Sequence, residues 1–267
     1  MRLMYKTTMI AAVVTMSTAA MSFSATDWAD FDGDLLILGE FHDNPTHHAE
    51  QAKALRAVDP KAVVFEMLTP KEAEALAVTP RDPDSMIAAT DGFHWSNIAD
   101  YADVLAASAV IVGAALSRDD MRGAFTDGAA AVFGPQSGAY GLTDPLPEDE
   151  QATRELAQFD AHCEAMPLEM MGGMVAAQRL RDAAFARTVI DALDTYGSPV
   201  VLITGNGHAR MDWGVPLYIS RVRPELDVTS VGQGERQEPP EGVYSWTLNG
   251  AASPDRGDPC AVFNKTD

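Results

Sequence analysis

Two apolar runs end in the same way. Residues 35–38 lead into Gly39-Glu40-Phe41-His42, and residues 200–203 lead through Thr204 into Gly205-Asn206-Gly207-His208. A third apolar run, residues 62–65, stops at Glu66. Two imidazoles and two carboxylates brought to one place suit a divalent metal such as Mn, Co or Zn, or a general acid/base pair. Glu40, His42, Glu66 and His208 are therefore the candidate metal ligands and, in a hydrolase, the candidate catalytic set. One histidine at a strand end is more often hydrogen-bonded filler than a ligand. Two of them on matched Gly-x-x-His turns favour function. Arg210 follows the second turn and adds a cation beside it.

These residues share a site only if the fold gathers the ends of distant runs. Short, wholly apolar runs read as strands buried on both faces. Asn44-Pro45 reads as an N-cap and first helical residue, starting a helix that runs to about Val58 with Ala49, Ala52, Leu55 and Val58 on its apolar face. Strand, helix and strand with short joints make a βαβ unit and hence a parallel sheet. Further helices are expected over 70–78, 101–107, 148–165 and 168–196, and further strands over 110–116, 200–203 and 228–231, with an edge strand near 243–248. The fold class that follows is α/β: a single domain with a mainly parallel central sheet flanked by helices. In such a sheet ligands bind beyond the carboxyl ends of the strands, so all the candidate residues fall at one rim. The first helix starts there too, and its free N–H groups favour an anion. His47 and His48 lie in its first turn, about 100° apart around the axis, so at most one of them faces the site.

The formal net charge is −20, with 19 basic and 39 acidic residues. That disfavours nucleic acid and anionic membrane surfaces as partners. Arg2 and Lys6, the apolar residues 9–14 and the small-residue stretch Ser22-Phe23-Ser24-Ala25 read as a secretory signal over residues 1–25. No later apolar run approaches the ~20 residues of a membrane span, so no stable membrane insertion is expected. No cysteine stands at the cleavage region to carry a lipid anchor. The expected location is periplasmic or secreted. There the two cysteines, Cys163 and Cys260, suggest a disulfide tying the C-terminal tail to a mid-chain helix, the alternative being two free thiols. Residues 236–267 read as a linker, an edge strand and a tail. The sequence carries no P-loop, dinucleotide fingerprint, Gly-x-Ser-x-Gly elbow or Cys-x-x-Cys, which disfavours nucleotide-binding, α/β-hydrolase and thioredoxin readings.

Leu38-Gly-Glu-Phe-His-Asp-Asn44 with His47-His48, Val64-Phe-Glu-Met67, Gly205-Asn-Gly-His208 and Gly214-Val-Pro216 together resemble the ChaN-like haem-binding uptake family of the Tiki/EreA superfamily. Ala161-His-Cys-Glu-Ala-Met-Pro167 and Ala177-Gln178 strengthen the resemblance, which spans roughly residues 34–232 within a domain taken as 26–235. It implies an exported protein that binds haem, or a related iron-containing small molecule, in iron uptake, and a homodimer around cofacial haems. The alternative it implies is a metal-dependent peptidase or esterase using Glu40, His42, Glu66 and His208. The candidate haem-binding residues are His42, His48, Tyr140, His208 and Arg210. Tyr140 enters because it stands on a Gly- and Pro-rich segment and a phenolate can ligate ferric haem. It also reads as an ordinary loop tyrosine. His94 and Trp95 read as packing, and the cluster Met170, Met171 and Met174 as core that could also cover a macrocycle.

Overall fold

The computed structural model describes residues 27–254 and 256–262, so the signal-peptide reading of residues 1–25 lies outside the described residues. Six strands form one sheet: β1 (Leu35–Glu40), β2 (Ala62–Phe65), β3 (Ile111–Gly113), β4 (Val200–Gly205), β5 (Val228–Glu235) and β6 (Trp246–Gly250). Their order across the sheet is β3-β2-β4-β1-β5-β6, and every pairing is parallel. Ten α-helices accompany them among the described residues: α1 (Pro45–Val58), α2 (Pro70–Leu76), α3 (Pro83–Ala89), α4 (Ala102–Ala106), α5 (Arg118–Asp127), α6 (Ala129–Phe133), α7 (Glu148–Ala161), α8 (Met171–Tyr196), α9 (Asn206–Ala209) and α10 (Val215–Val222). The α/β reading with a parallel, helix-flanked sheet holds.

Alternation along the strands sorts two cores. Leu35, Ile37, Val64, Val200 and Leu202 meet α8 and α10 on one face. Leu36, Leu38, Val63, Phe65, Val201 and Ile203 meet α1, α2 and α4 on the other. Both faces are covered, which explains why these strands are unbroken apolar runs. Asn44 caps α1 by accepting the Thr46 N–H at 2.8 Å, and Pro45 occupies the first turn. The buried face of α1 differs from the expected one. Ala49 is exposed, while His47, His48 and Gln51 are buried with Ala52 and Leu55.

The strand order has one feature that decides the site. β4 inserts between β1 and β2, so the expected βαβ pair is not adjacent. β1 and β4 instead run side by side in register from Leu35 opposite Val200 to Glu40 opposite Gly205. The two Gly-x-x-His turns therefore leave neighbouring strands at the same level. Elsewhere the third strand is shorter than expected, because Gly113 ends its pairing against Phe65. The edge strand is Trp246–Gly250, slightly later in the chain than expected and parallel to β5. The tail then returns to the β1–α1 loop. Cys163 and Cys260 form the expected disulfide, with their Cα atoms 5.6 Å apart.

Candidate functional site

Glycine makes the close approach of the two turns possible. A Cβ at Gly205 would lie 2.9 Å from His42 Nε2, so any side chain there would push the imidazole away. A Cβ at Gly39 would lie 2.6 Å from Asn206 Oδ1. That oxygen accepts the Gln233 N–H at 2.9 Å, while Asn206 Nδ2 donates to the Gln233 carbonyl at 2.8 Å, tying the second turn to β5.

With the turns so placed, His42 and His208 point at one carboxylate. His42 Nε2 is 3.7 Å and His208 Nε2 3.8 Å from Glu66 Oε1. Each imidazole is held from behind. His42 Nδ1 donates to Glu40 Oε1 at 2.8 Å, and His208 Nδ1 donates to Asp182 Oδ1 at 2.6 Å. An imidazole fixed in this way presents its Nε2 atom to the cavity in a set orientation.

The two glutamates are hubs with different neighbours. Glu40 accepts from Tyr101 Oη at 2.5 Å and from Gln51 Nε2 at 2.8 Å in addition to His42. Glu66 accepts from Thr204 Oγ1 at 2.5 Å, from the Gly205 N–H at 2.8 Å and from Arg181. Burial would raise both carboxyl pKa values, but these partners reverse the effect. Glu40 is lowered to about 2 by His42 and His48, and Glu66 is held well below the usual carboxylate range by Arg181 and both imidazoles. Burial would lower the His42 pKa, yet the Glu66 and Glu40 carboxylates outweigh it and raise the pKa to about 9. Asp182 moves the other way: burial raises its pKa against the pull of His208.

The cavity over this cluster measures about 710 Å³, within the range of small-molecule and cofactor sites. Glu40, His42, Glu66 and His208 all line it, as does Arg210. Its apolar wall comes from Phe41, Val175, Trp213 and Pro259 and from the α7 alanines. The candidates at the ends of β1, β2 and β4 are thus brought together, with Arg210 beside them.

The structure places the other candidates outside this cavity. Tyr140 is away from the cavity. Its ring is buried in the core against Phe133, with ring centroids 4.8 Å apart, because the Gly-rich segment folds under α8. His48 lies behind Glu40, with its Nε2 3.4 Å from Glu40 Oε2, and lines a separate cavity of about 380 Å³ with Asp43 and Asp100. His47 is structural: it accepts the Phe41 N–H at 3.0 Å and donates to the Gly234 carbonyl at 3.2 Å. The methionines are not on the cavity wall; Met171 is buried and Met170 is exposed. Among the described residues, no group of three or more His, Cys, Asp or Glu side chains is disposed to hold a metal ion. Glu66 Oε1, the oxygen nearest both imidazoles, is already engaged by Arg181, and Glu40 lies behind His42.

Several site residues escaped the sequence. Asp182 and Arg181 project from α8, and Tyr101 precedes α4. A sequence signal existed for one of them: Asp182 is followed by the apolar run Ala183-Ala184-Phe185-Ala186, all of it buried, which puts an acid at the edge of the buried face of α8. An acid at such a position needs a partner.

The profile of the family described as "Haem-binding uptake, Tiki superfamily, ChaN" matches residues 31–219. No curated protein matches the sequence. Among solved structures, one titled "Cofacial heme binding to ChaN of Campylobacter jejuni" superposes with a TM-score of 0.58 at 17% identity, covering 84% of this chain and 89% of that one. The type III effector HopBA1 superposes with a TM-score of 0.45 at 8% identity, covering 85% of this chain and 91% of that one.

Proposed function

The chain belongs to the ChaN family of haem-binding uptake proteins in the Tiki superfamily, and from that premise we propose that it is exported and binds haem in the cavity at the β1 and β4 ends. The observation that carries the reading is the convergence of His42 and His208 Nε2 within 3.8 Å of one Glu66 oxygen, at the floor of a cavity of about 710 Å³. The residues fit the group. Imidazole nitrogen is a common axial ligand of haem iron, and the tyrosine raised as an alternative, Tyr140, is buried elsewhere. Phe41, Val175 and Trp213 offer apolar surface to a macrocycle, and arginines at the rim offer cations to its carboxylates.

His42 or His208 would hold the iron, and Glu40 and Asp182 would keep the two rings oriented. When bound, the haem supplies an iron centre whose behaviour depends on the axial ligand and the polarity around it. The role we assign is capture and transfer of haem in iron uptake, in a periplasmic or secreted setting. No helix among the described residues is long and apolar enough to cross a membrane. A homodimer with cofacial haems extends the reading, by analogy with the cofacial haem binding of the Campylobacter jejuni protein. Haem titration of the ligand-free protein, followed in the Soret band, tests it. Saturable binding that weakens in both His42→Ala and His208→Ala is expected. Binding untouched by either substitution would remove haem from this cavity.

One observation favours a second reading, a hydrolase. His208 carries the Asp182 carboxylate on Nδ1 and leaves Nε2 toward the cavity, the arrangement of a general base and also of a metal-binding histidine with its supporting shell. Peptide or ester cleavage that is stimulated by Mn²⁺, Co²⁺ or Zn²⁺ and lost in His208→Ala would establish it. No turnover under any of these ions would end it.

A further inference from the structure

Among the described residues four arginines reach the cavity, although the chain as a whole has a net charge of −20. Three are well matched by acids. Arg181 meets Glu66, Arg210 makes two bonds to Asp212 at 2.9 and 2.7 Å, and Arg256 meets Asp43 and Glu235.

Arg154 is different. It is 6% exposed, and one end of its guanidinium meets Glu150, yet its buried Nε has no hydrogen-bond partner among the described residues. One turn later on α7, the buried Oε1 of Gln158 also lacks a partner. Both residues line the cavity. Buried polar atoms in folded proteins are nearly always satisfied, so two orphans on one helix face point to a missing group. A glutamine amide presents either its oxygen or its nitrogen after a flip about the last bond. Arg154 Nε–H and the Gln158 amide can therefore donate together to a group that only accepts.

The surroundings restrain Arg154. The Trp213 ring carries the Arg210 guanidinium at 3.6 Å and that of Arg154 at 4.9 Å from its centroid. Cation–π contact with an indole at these distances restrains both side chains before any ligand arrives. Preorganised, planar guanidinium donors are suited to carboxylates.

We infer that the α7–Trp213 wall is a carboxylate-anchoring subsite, in which Arg154 and Gln158 donate to an acid group borne on the ligand's apolar body. The inference rests on the haem reading and deepens it. A haem placed here would direct a propionate toward α7 and its centre toward the two imidazoles.

The test compares haem with its dimethyl ester, which keeps the macrocycle and iron but removes both negative charges. Both are titrated into the wild-type protein, Arg154→Gln and Gln158→Leu, with melting curves to show that each variant is folded. Wild type should bind haem about tenfold or more tightly than the ester, the ratio expected from a charge-assisted hydrogen bond. The ratio should fall toward one in both variants, while the affinity for the ester stays near its wild-type value. A wild-type ratio near one, or a ratio that persists in the folded variants, would overturn the subsite and leave haem binding intact. If Arg154→Gln does not fold, Gln158→Leu decides by the same ratio. Failure of wild type to bind either compound would overturn the haem reading and the subsite with it.

Discussion

His42 and His208, 166 positions apart in the chain, present their Nε2 atoms to the same oxygen of Glu66, at 3.7 and 3.8 Å. Their strands are hydrogen-bonded neighbours in register, and the Glu40 and Asp182 carboxylates hold the rings from behind. The arrangement makes Asp182 a positioning residue. Asp182→Ala removes the acceptor that sets the His208 ring and should weaken haem affinity roughly tenfold, the lower end of the effect of losing a supporting carboxylate. The shape and position of the bound Soret band should change with it. Weaker binding with an unchanged spectrum would mean that Asp182 acts on stability alone.

Gly205 leaves room for His42, since a Cβ there would come within 2.9 Å of Nε2. Gly205→Ala should displace the imidazole and cost about 1–3 kcal/mol, as overpacking of a filled site does. Denaturant unfolding measures the cost and haem titration the displacement. Wild-type stability and affinity together would show that the two turns are less tightly apposed.

The pH dependence of stability in the ligand-free protein follows from the Glu40–His42 pair. The Glu40 pKa falls from 4.5 to about 2 on folding, so its contribution is present above pH 4.5 and is lost as pH drops toward 2. The His42 pKa rises from 6.5 to about 9, so its contribution is full below pH 6.5 and is lost as pH rises toward 9. The shared interaction should make stability greatest between about pH 4.5 and 6.5. Urea midpoints across pH check this, with His42→Ala expected to remove the alkaline decline. A decline unchanged in His42→Ala would place its origin elsewhere.

The tail is held to the rest of the molecule by Arg256 on Asp43 and Glu235 and by the Cys163–Cys260 disulfide, which spans 97 positions. Closing a loop of that length stabilises by about 4–5 kcal/mol in the chain-entropy account. Cys260→Ser with Cys163→Ser should lower stability by an amount of this order and quicken proteolysis after residue 250. Pro259 and Arg256 line the cavity, so haem dissociation should also quicken. Unchanged proteolysis and dissociation would make the bridge incidental.

The rim was legible in the sequence because strands buried on both faces are written as unbroken apolar runs, and Gly39, Glu66 and Gly205 punctuate their ends. The adjacency of β1 and β4 was not legible, because strand order depends on how the connecting helices pack across both faces. Asp182, Arg181 and Tyr101 come from helices whose apolar pattern reveals burial but not which strand end they face. Tyr140 was legible only as a residue of a Gly- and Pro-rich segment; its packing on Phe133 in the core beside α8 depends on how that segment folds back. The orphaned Nε of Arg154 could not be foreseen at all, since only coordinates show which polar atoms lack partners.

Haem binding in the cavity between the two Gly-x-x-His turns can be located directly. Anomalous diffraction at the iron edge, from crystals grown with haem, addresses it without relying on affinity or spectra. An iron peak within bonding distance of Nε2 of His42 or His208 is expected. An ordered iron peak elsewhere, at Tyr140 or on the outer surface, would contradict it.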